Sequence, residues 1–172
     1  MPTDMISRET ALKILEDAGC SSNVIDHCVA VSELASYIGM KLSSEGKQPD
    51  LQLLEIGGLL HDLGRSRTHG ISHAVEGASI ARKLGLERRL VEIIKRHIGA
   101  GLSVEEATQL GLPEDDYVPR TLEEKIVAHA DNLIVGTKKI SLDERISMMT
   151  DKNINIDSIN RVKALAEEIG VQ

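Results

Sequence analysis

GGLLHDLGRSRTHGISHA, residues 57–74, places three of the chain's six histidines beside an aspartate and two arginines. Upstream, the apolar spacing of LQLLEIGGLLHD predicts a helix that Asp50 caps and Gly64 ends. Downstream, RSRTHGI reads as a polar loop, and Ser72 opens a second helix running to about Leu84, where Gly85 interrupts it. On the first helix His61 lies over Leu54, Gly57 and Gly58; on the second, His73 points along Gly77, Ile80 and Ala81. Both imidazoles fall on stripes that belong to a core. Gly57 and Gly58 each cost about 1 kcal/mol of helix stability against Ala, and close approach of another helix or of a ligand is one reason to carry that cost.

The same helical spacing extends in both directions. SRETALKILEDAG forms one stripe with Gly19 as its stop, residues 22–45 form a long amphipathic helix, and residues 87–98 form another. Ser103-x-x-Glu106, Thr121-x-x-Glu124 and Ser141-x-x-Glu144 fit capping boxes opening helices near 104–110, 122–135 and 142–149, and a last helix covers 156–169. No convincing period-2 strand interrupts them. The reading is an all-α single domain over residues 1–172, with about seven to nine helices.

Composition narrows the function classes. The chain has 172 residues, 41% hydrophobic, with no Trp or Phe and only Tyr37 and Tyr117, so its core is aliphatic. A net charge of −7 argues against a nucleic-acid polymer or an anionic membrane as partner, whereas a small phosphorylated molecule needs only a few local cations. Cys20 and Cys28 make no disulfide framework, the N-terminal MPTDMISRET lacks a hydrophobic signal region, and no run approaches a membrane span; a soluble cytoplasmic protein is expected. Oligomeric state is unreadable, and a homo-oligomer is compatible with the sequence.

Three more polar residues sit on inward faces. His27 shares its face with Val24, Ala30, Val31 and Leu34; His97 lies over Leu90, Ile93 and Ile94; Asp131 shares its face with Val127, Ala128, Ile134 and Val135. A buried carboxylate without a partner costs several kcal/mol. Asp131 has only apolar neighbours at ±3 and ±4, so its cation must come from elsewhere in the fold or be a metal, and a metal would satisfy the four histidines as well. Imidazole with carboxylate suits Fe, Mn, Co, Ni or Zn better than Ca or Mg. His61 and Asp62 diverge by about 100° on a helix, but an ion between the two directions takes one nitrogen and one oxygen, leaving the second Asp62 oxygen free to bridge to another ion.

With these residues in place, the chain resembles the HD-domain metal-dependent phosphohydrolases of the HDIG type. His27, His61-Asp62 and Asp131 match the family's H…HD…D order, in the frames LLHDLGR, SHAVEGASI, IIKRHIG and EKIVAHADNLI, over residues about 20–138. The resemblance implies a helical bundle with a central metal site, the helices at 142–169 lying outside the matching core. It implies a first metal on His27, His61, Asp62 and Asp131, and a second on His73 and His97 with Asp62 bridging. One or two divalent transition metals are expected, Fe or Mn first. Some relatives carry His-His where this chain has Arg96-His97, which implies no third metal. The implied chemistry is hydrolysis of a small phosphoester by a metal-bound hydroxide, with Asp62 as the catalytic carboxylate.

Within the superfamily the motifs look most like a small archaeal-type group containing the phosphodiesterase that opens dihydroneopterin 2′,3′-cyclic phosphate. The first expectation is therefore a cyclic phosphodiesterase of a nucleotide-like or pterin-like molecule. The alternatives are a dinucleoside polyphosphate hydrolase, a nucleotide phosphomonoesterase, and a non-catalytic nucleotide-sensing module. Arg65 and Arg67 are the expected phosphate contacts, because planar guanidinium fits phosphate oxygens two at a time. Arg96 reads as a solvated face, Tyr117 as a loop-packing residue, and His69 and His129 fall outside the metal set.

Overall fold

The chain is described by a computed structural model over residues 4–172. Its helices are α1 (Arg8–Ala18), α2 (Ser22–Ser44), α3 (Leu51–Leu60), α4 (His73–Lys83), α5 (Arg88–Lys95), α6 (Val104–Gln109), α7 (Leu122–Asn132), α8 (Leu142–Asp151) and α9 (Ile156–Ile169). A 3-10 turn at Leu63–Ser66 follows α3, and a two-residue hairpin, β1 (Ile134–Val135) with β2 (Lys138–Lys139), follows α7. The all-α reading holds. α2 packs along α3 and α7, α3 also touches α5 and α7, α4 lies on α5 and on the 3-10 turn, and α9 covers α7. The core between them is aliphatic, built from Val31, Ile38, Leu54, Leu60, Ile94, Val127 and their neighbours. No helix among the described residues is long and apolar enough to cross a membrane.

The caps follow the sequence with one departure. Ser103 and Ser141 form complete capping boxes. At α7 only half the box forms: Thr121 accepts from the Glu124 amide, but the Glu124 carboxylate takes the Arg120 amide and the guanidinium of Arg96 instead. Arg96 accordingly does not lie on a solvated face. Its side chain is 14% exposed and also meets Glu92 and the Asp116 carbonyl, pinning the loop before α7. Tyr117 packs that loop as expected, buried with Leu102, Ala107 and Leu112, its hydroxyl donating to the Pro113 carbonyl.

Three helices stop earlier than the spacing predicts. α3 ends at Leu60 rather than near Gly64, α5 at Lys95 rather than 98, and α7 at Asn132 rather than 135. Gly64 therefore has a different task from ending a helix. A Cβ there would stand 1.7 Å from the His73 carbonyl oxygen and 2.5 Å from the Gly77 nitrogen, so the 3-10 turn presses backbone to backbone on α4. Gly58 is similar: its Cβ would meet the Ser32 Cα at 2.6 Å. That contact seats α3 on α2, where the Ser32 hydroxyl donates to the Glu55 carbonyl at 2.7 Å.

Gly64→Ala should lower unfolding free energy by about 1–3 kcal/mol, the usual cost of overpacking a site that cannot give. Urea denaturation measures it. A change within about 0.5 kcal/mol, the range of an indifferent surface position, would contradict the backbone approach.

Candidate metal centre

Five helices each bring a polar group to one place. α2 contributes His27 from its second turn; the end of α3 contributes His61 and, just beyond it, Asp62; α4 begins with His73; His97 follows α5; and Asp131 lies in the last turn of α7. His61 is fully buried, and Asp62, His73 and His97 nearly so.

Every ring is oriented the same way. Nδ1 of His27 meets the Gly136 carbonyl at 2.7 Å, that of His61 the Gly58 carbonyl at 2.6 Å, that of His73 the Gly70 carbonyl at 2.8 Å, and that of His97 the Ile94 carbonyl at 2.7 Å. A carbonyl only accepts, so each Nδ1 carries a hydrogen and each ring turns its Nε2 inward. The inward nitrogens divide around Asp62. His27 and His61 lie 3.6 and 3.5 Å from Asp62 Oδ2 and 3.0 and 3.3 Å from Asp131 Oδ1. His73 and His97 lie 3.3 and 3.2 Å from the other Asp62 oxygen, Oδ1.

This donor set fits a divalent transition metal. Nε2 of His61 is buried and has no hydrogen-bond partner. Nε2 of His73 and of His97 stand 3.0 Å apart, two lone pairs facing each other across a gap that only a proton or a cation can bridge. Nδ1 hydrogens given to carbonyls are also the usual support of metal-bound imidazoles. His27, His61 and Asp131 form one group whose ligand atoms lie within 4.8 Å of one another, and His61, Asp62 and His97 another. The six residues marked as metal ligands in the sequence are thus brought together.

The electrostatics are those of a negatively biased cage. Burial works against an imidazolium at His61, yet the charges of Asp62 and Asp131 overcome it and hold its pKa well above the ordinary value. Burial likewise raises both carboxyls, but the surrounding imidazoles, His61 foremost, win and hold Asp62 and Asp131 well below the usual carboxylate range. His97 is pushed down, chiefly by burial.

Of the two arginines expected at phosphate, the structure brings Arg65 to the cavity and not Arg67. Arg65 lines the cavity, its Nε donating to Asp62 Oδ2 at 3.0 Å and its Nη1 to the His69 carbonyl at 3.2 Å, so it braces the central carboxylate and its charge is paired there. Arg67 pairs with Glu76 at 3.1 Å on an exposed surface and does not line the cavity. Its spacing from the HD pair carried no information about which way the 3-10 turn would carry it. His69 is exposed and offers only its carbonyl. His129, outside the metal set as expected, is wholly buried and donates from Nε2 to the Val171 carbonyl at 2.8 Å, tying down α9's end of the chain.

A cavity of about 630 Å³ opens beside the cluster, and His27, Asp62, His73, His97 and Asp131 form one end of it. Sequence reasoning missed a second set of lining residues, which comes from α8 and the turn after it: Arg145, Met148, Met149 and Ile154. The Ser141 capping box located α8 but not the face it turns to the cavity, because that face carries no motif.

A family model described as HD domain matches residues 24–136. An uncharacterized protein of Methanocaldococcus jannaschii is 52% identical over 162 residues, covering 94% of this chain and 95% of that one. A tRNA (cytidine(56)-2′-O)-methyltransferase of Thermoplasma volcanium is 44% identical over 154 residues, 90% of this chain but only 44% of the relative, so the chain spans less than half of that protein. The crystal structure of the HD domain of the L. monocytogenes phosphodiesterase PgpH superposes with a TM-score of 0.58 at 16% identity, covering 90% of this chain and 94% of that one, which shows a common fold.

Metal uptake should release protons, since a ligating His61 must give up the proton its raised pKa retains. Affinity for Mn or Zn should therefore climb as pH rises toward that raised value. Without metal the sign reverses: His61 stabilises the fold below the ordinary imidazole pKa, and that contribution is lost as pH rises through the raised value. Calorimetric metal titration in buffers of different ionisation enthalpy counts the protons, and uptake with no proton release would contradict the arrangement.

Proposed function

The chain belongs to the HD domain family, and from that premise we propose that it is a metal-dependent phosphohydrolase of small nucleotide-like or pterin-like phosphoesters, with a cyclic phosphodiester as the foremost substrate class. The observation that carries this reading is the division of Asp62, one oxygen facing His27 and His61 and the other facing His73 and His97. With imidazole nitrogens facing both of its oxygens, Asp62 would join His27, His61, His73, His97 and Asp131 in holding divalent ions. Divalent ions held there would supply Lewis acidity toward phosphoryl oxygens and an acidified water.

The chain's own residues do the remaining work. The four Nδ1–carbonyl bonds fix ring tautomer and direction before any ligand arrives. Arg65 holds the Asp62 carboxylate in place. Burial of His61 and Asp62 strengthens every charge interaction at the reacting end of the cavity. At about 630 Å³, with Ile98, Leu102, Leu110 and Met149 among its lining, the cavity has the size and the apolar walls of a small-molecule site. The net charge of −7 supports a small anion over a nucleic-acid polymer. One name among the similar proteins bears on the choice of substrate. PgpH is named a phosphodiesterase, and one of its structures holds cyclic-di-AMP. The Thermoplasma relative is named for methylation of tRNA, and this chain matches only 44% of its length, so that name does not choose among phosphoesters.

Protein purified without chelator or oxygen should retain Fe or Mn and hydrolyse at least one member of a panel of 2′,3′-cyclic nucleotides, pterin cyclic phosphates, dinucleoside polyphosphates and phosphomonoesters. Asp62→Ala should reduce turnover by about 10³-fold or more, the loss of several kcal/mol of charge stabilisation. Unchanged turnover in that variant would reject the centre.

A further inference from the structure

Three cations line the cavity, Arg65, Lys152 and Arg145. Arg65 is committed to Asp62, and Lys152 is exposed. Arg145 differs from both. It is half-buried on α8, and its Nε donates to the Asn132 carbonyl at 2.6 Å while Nη2 donates to the Ile134 carbonyl at 3.3 Å. Those carbonyls flank the end of α7, the helix that carries Asp131, so the guanidinium is tethered beside the metal cluster. Among the described residues no carboxylate pairs with it and its other N–H groups find no acceptor.

The charge around the cavity sharpens the point. Three carboxylates line it: Asp62, Asp131 and Glu106. Asp62 is answered by Arg65 and the imidazoles, and Glu106 by Arg161. Asp131 has His27 and His61. Arg145 is left as a tethered, half-buried positive charge with free donors, near Asp131 but bonded to no carboxylate.

We propose that Arg145 binds the substrate's anionic phosphoryl oxygens, a role the sequence alone assigns to Arg65 and Arg67. This rests on the phosphoester reading above. Two carbonyls hold the fork from behind, so its free N–H groups are pre-oriented and lose little freedom on taking up a phosphoryl group. The alternative is that Arg145 only caps the carbonyls at the end of α7.

The test is binding of methylphosphonate, a phosphoryl dianion that cannot be hydrolysed, to the full chain loaded with manganese, measured by calorimetry. Arg145→Gln and Arg145→Lys are compared with wild type, with bound manganese and melting temperature measured in parallel. The expected result is about tenfold or more weaker binding for Arg145→Gln and a smaller, several-fold loss for Arg145→Lys, with manganese content unchanged. A purely capping arginine would lower the melting temperature and leave affinity within twofold of wild type, and that result overturns the assignment. If Arg145→Gln does not fold, Arg145→Lys decides on the same criterion. Wild-type protein that holds manganese yet takes up no methylphosphonate would overturn the phosphoester reading, and this assignment with it.

Discussion

Four imidazole lone pairs and two carboxylates pointing at one another inside an aliphatic bundle repel unless positive charge lies among them. The rest of the structure is arranged around that constraint. Protons relieve only part of it. The proton favoured at His61 leaves the nitrogens of His73 and His97 face to face at 3.0 Å. A divalent ion satisfies several lone pairs at once, which is why the donor set, rather than any one residue, identifies the centre.

Orienting the lone pairs explains where the helices end. Nδ1 of His61, His73 and His97 each donates to the carbonyl three residues earlier, of Gly58, Gly70 and Ile94. In a continuing helix the Gly58 and Ile94 carbonyls would be taken by amides four residues on. They are free because α3 stops at Leu60 and α5 at Lys95, within the last turn whose carbonyls lack helical partners. His27 lies within α2, where its own backbone has no carbonyl to spare, and it is oriented instead by Gly136, at the tip of the hairpin after α7. The short hairpin therefore has a purpose despite contributing almost nothing to the core. Gly136 adopts φ 61 there, a conformation open to glycine at little cost.

This marks the limit of what periodicity could reveal. Helix identity and inward faces were legible, since both follow from 3.6-residue spacing over long segments, and they sufficed to gather His27, His61, Asp62, His73, His97 and Asp131. The early ends of α3 and α5 were not, because apolar spacing continues past them while a side chain competes for the carbonyl. The hairpin was invisible for a similar reason: its two residues per strand are too few to show alternation. Arg67 and Arg96 were misplaced because charged residues obey partners that adjacency does not disclose. Arg96 finds Glu92 one turn back and Glu124 on another helix, and Arg67 finds Glu76 across a turn.

The two sets of lining residues have different origins in the chain. All six cluster residues fall within residues 24–136, the segment matched by the HD domain model. Arg145, Met148, Met149 and Ile154, which also line the cavity, lie beyond it on α8 and the following turn. The first segment is constrained by backbone contacts such as Gly64 on His73, where even a methyl group has no room. The second packs loosely: α8 has no fully buried residue, and its methionines adapt readily to what they touch. A bundle divided in this way can hold its reacting end fixed while the other lining residues change, so discrimination among phosphoesters is expected to reside in α8 and its turn rather than in the histidines.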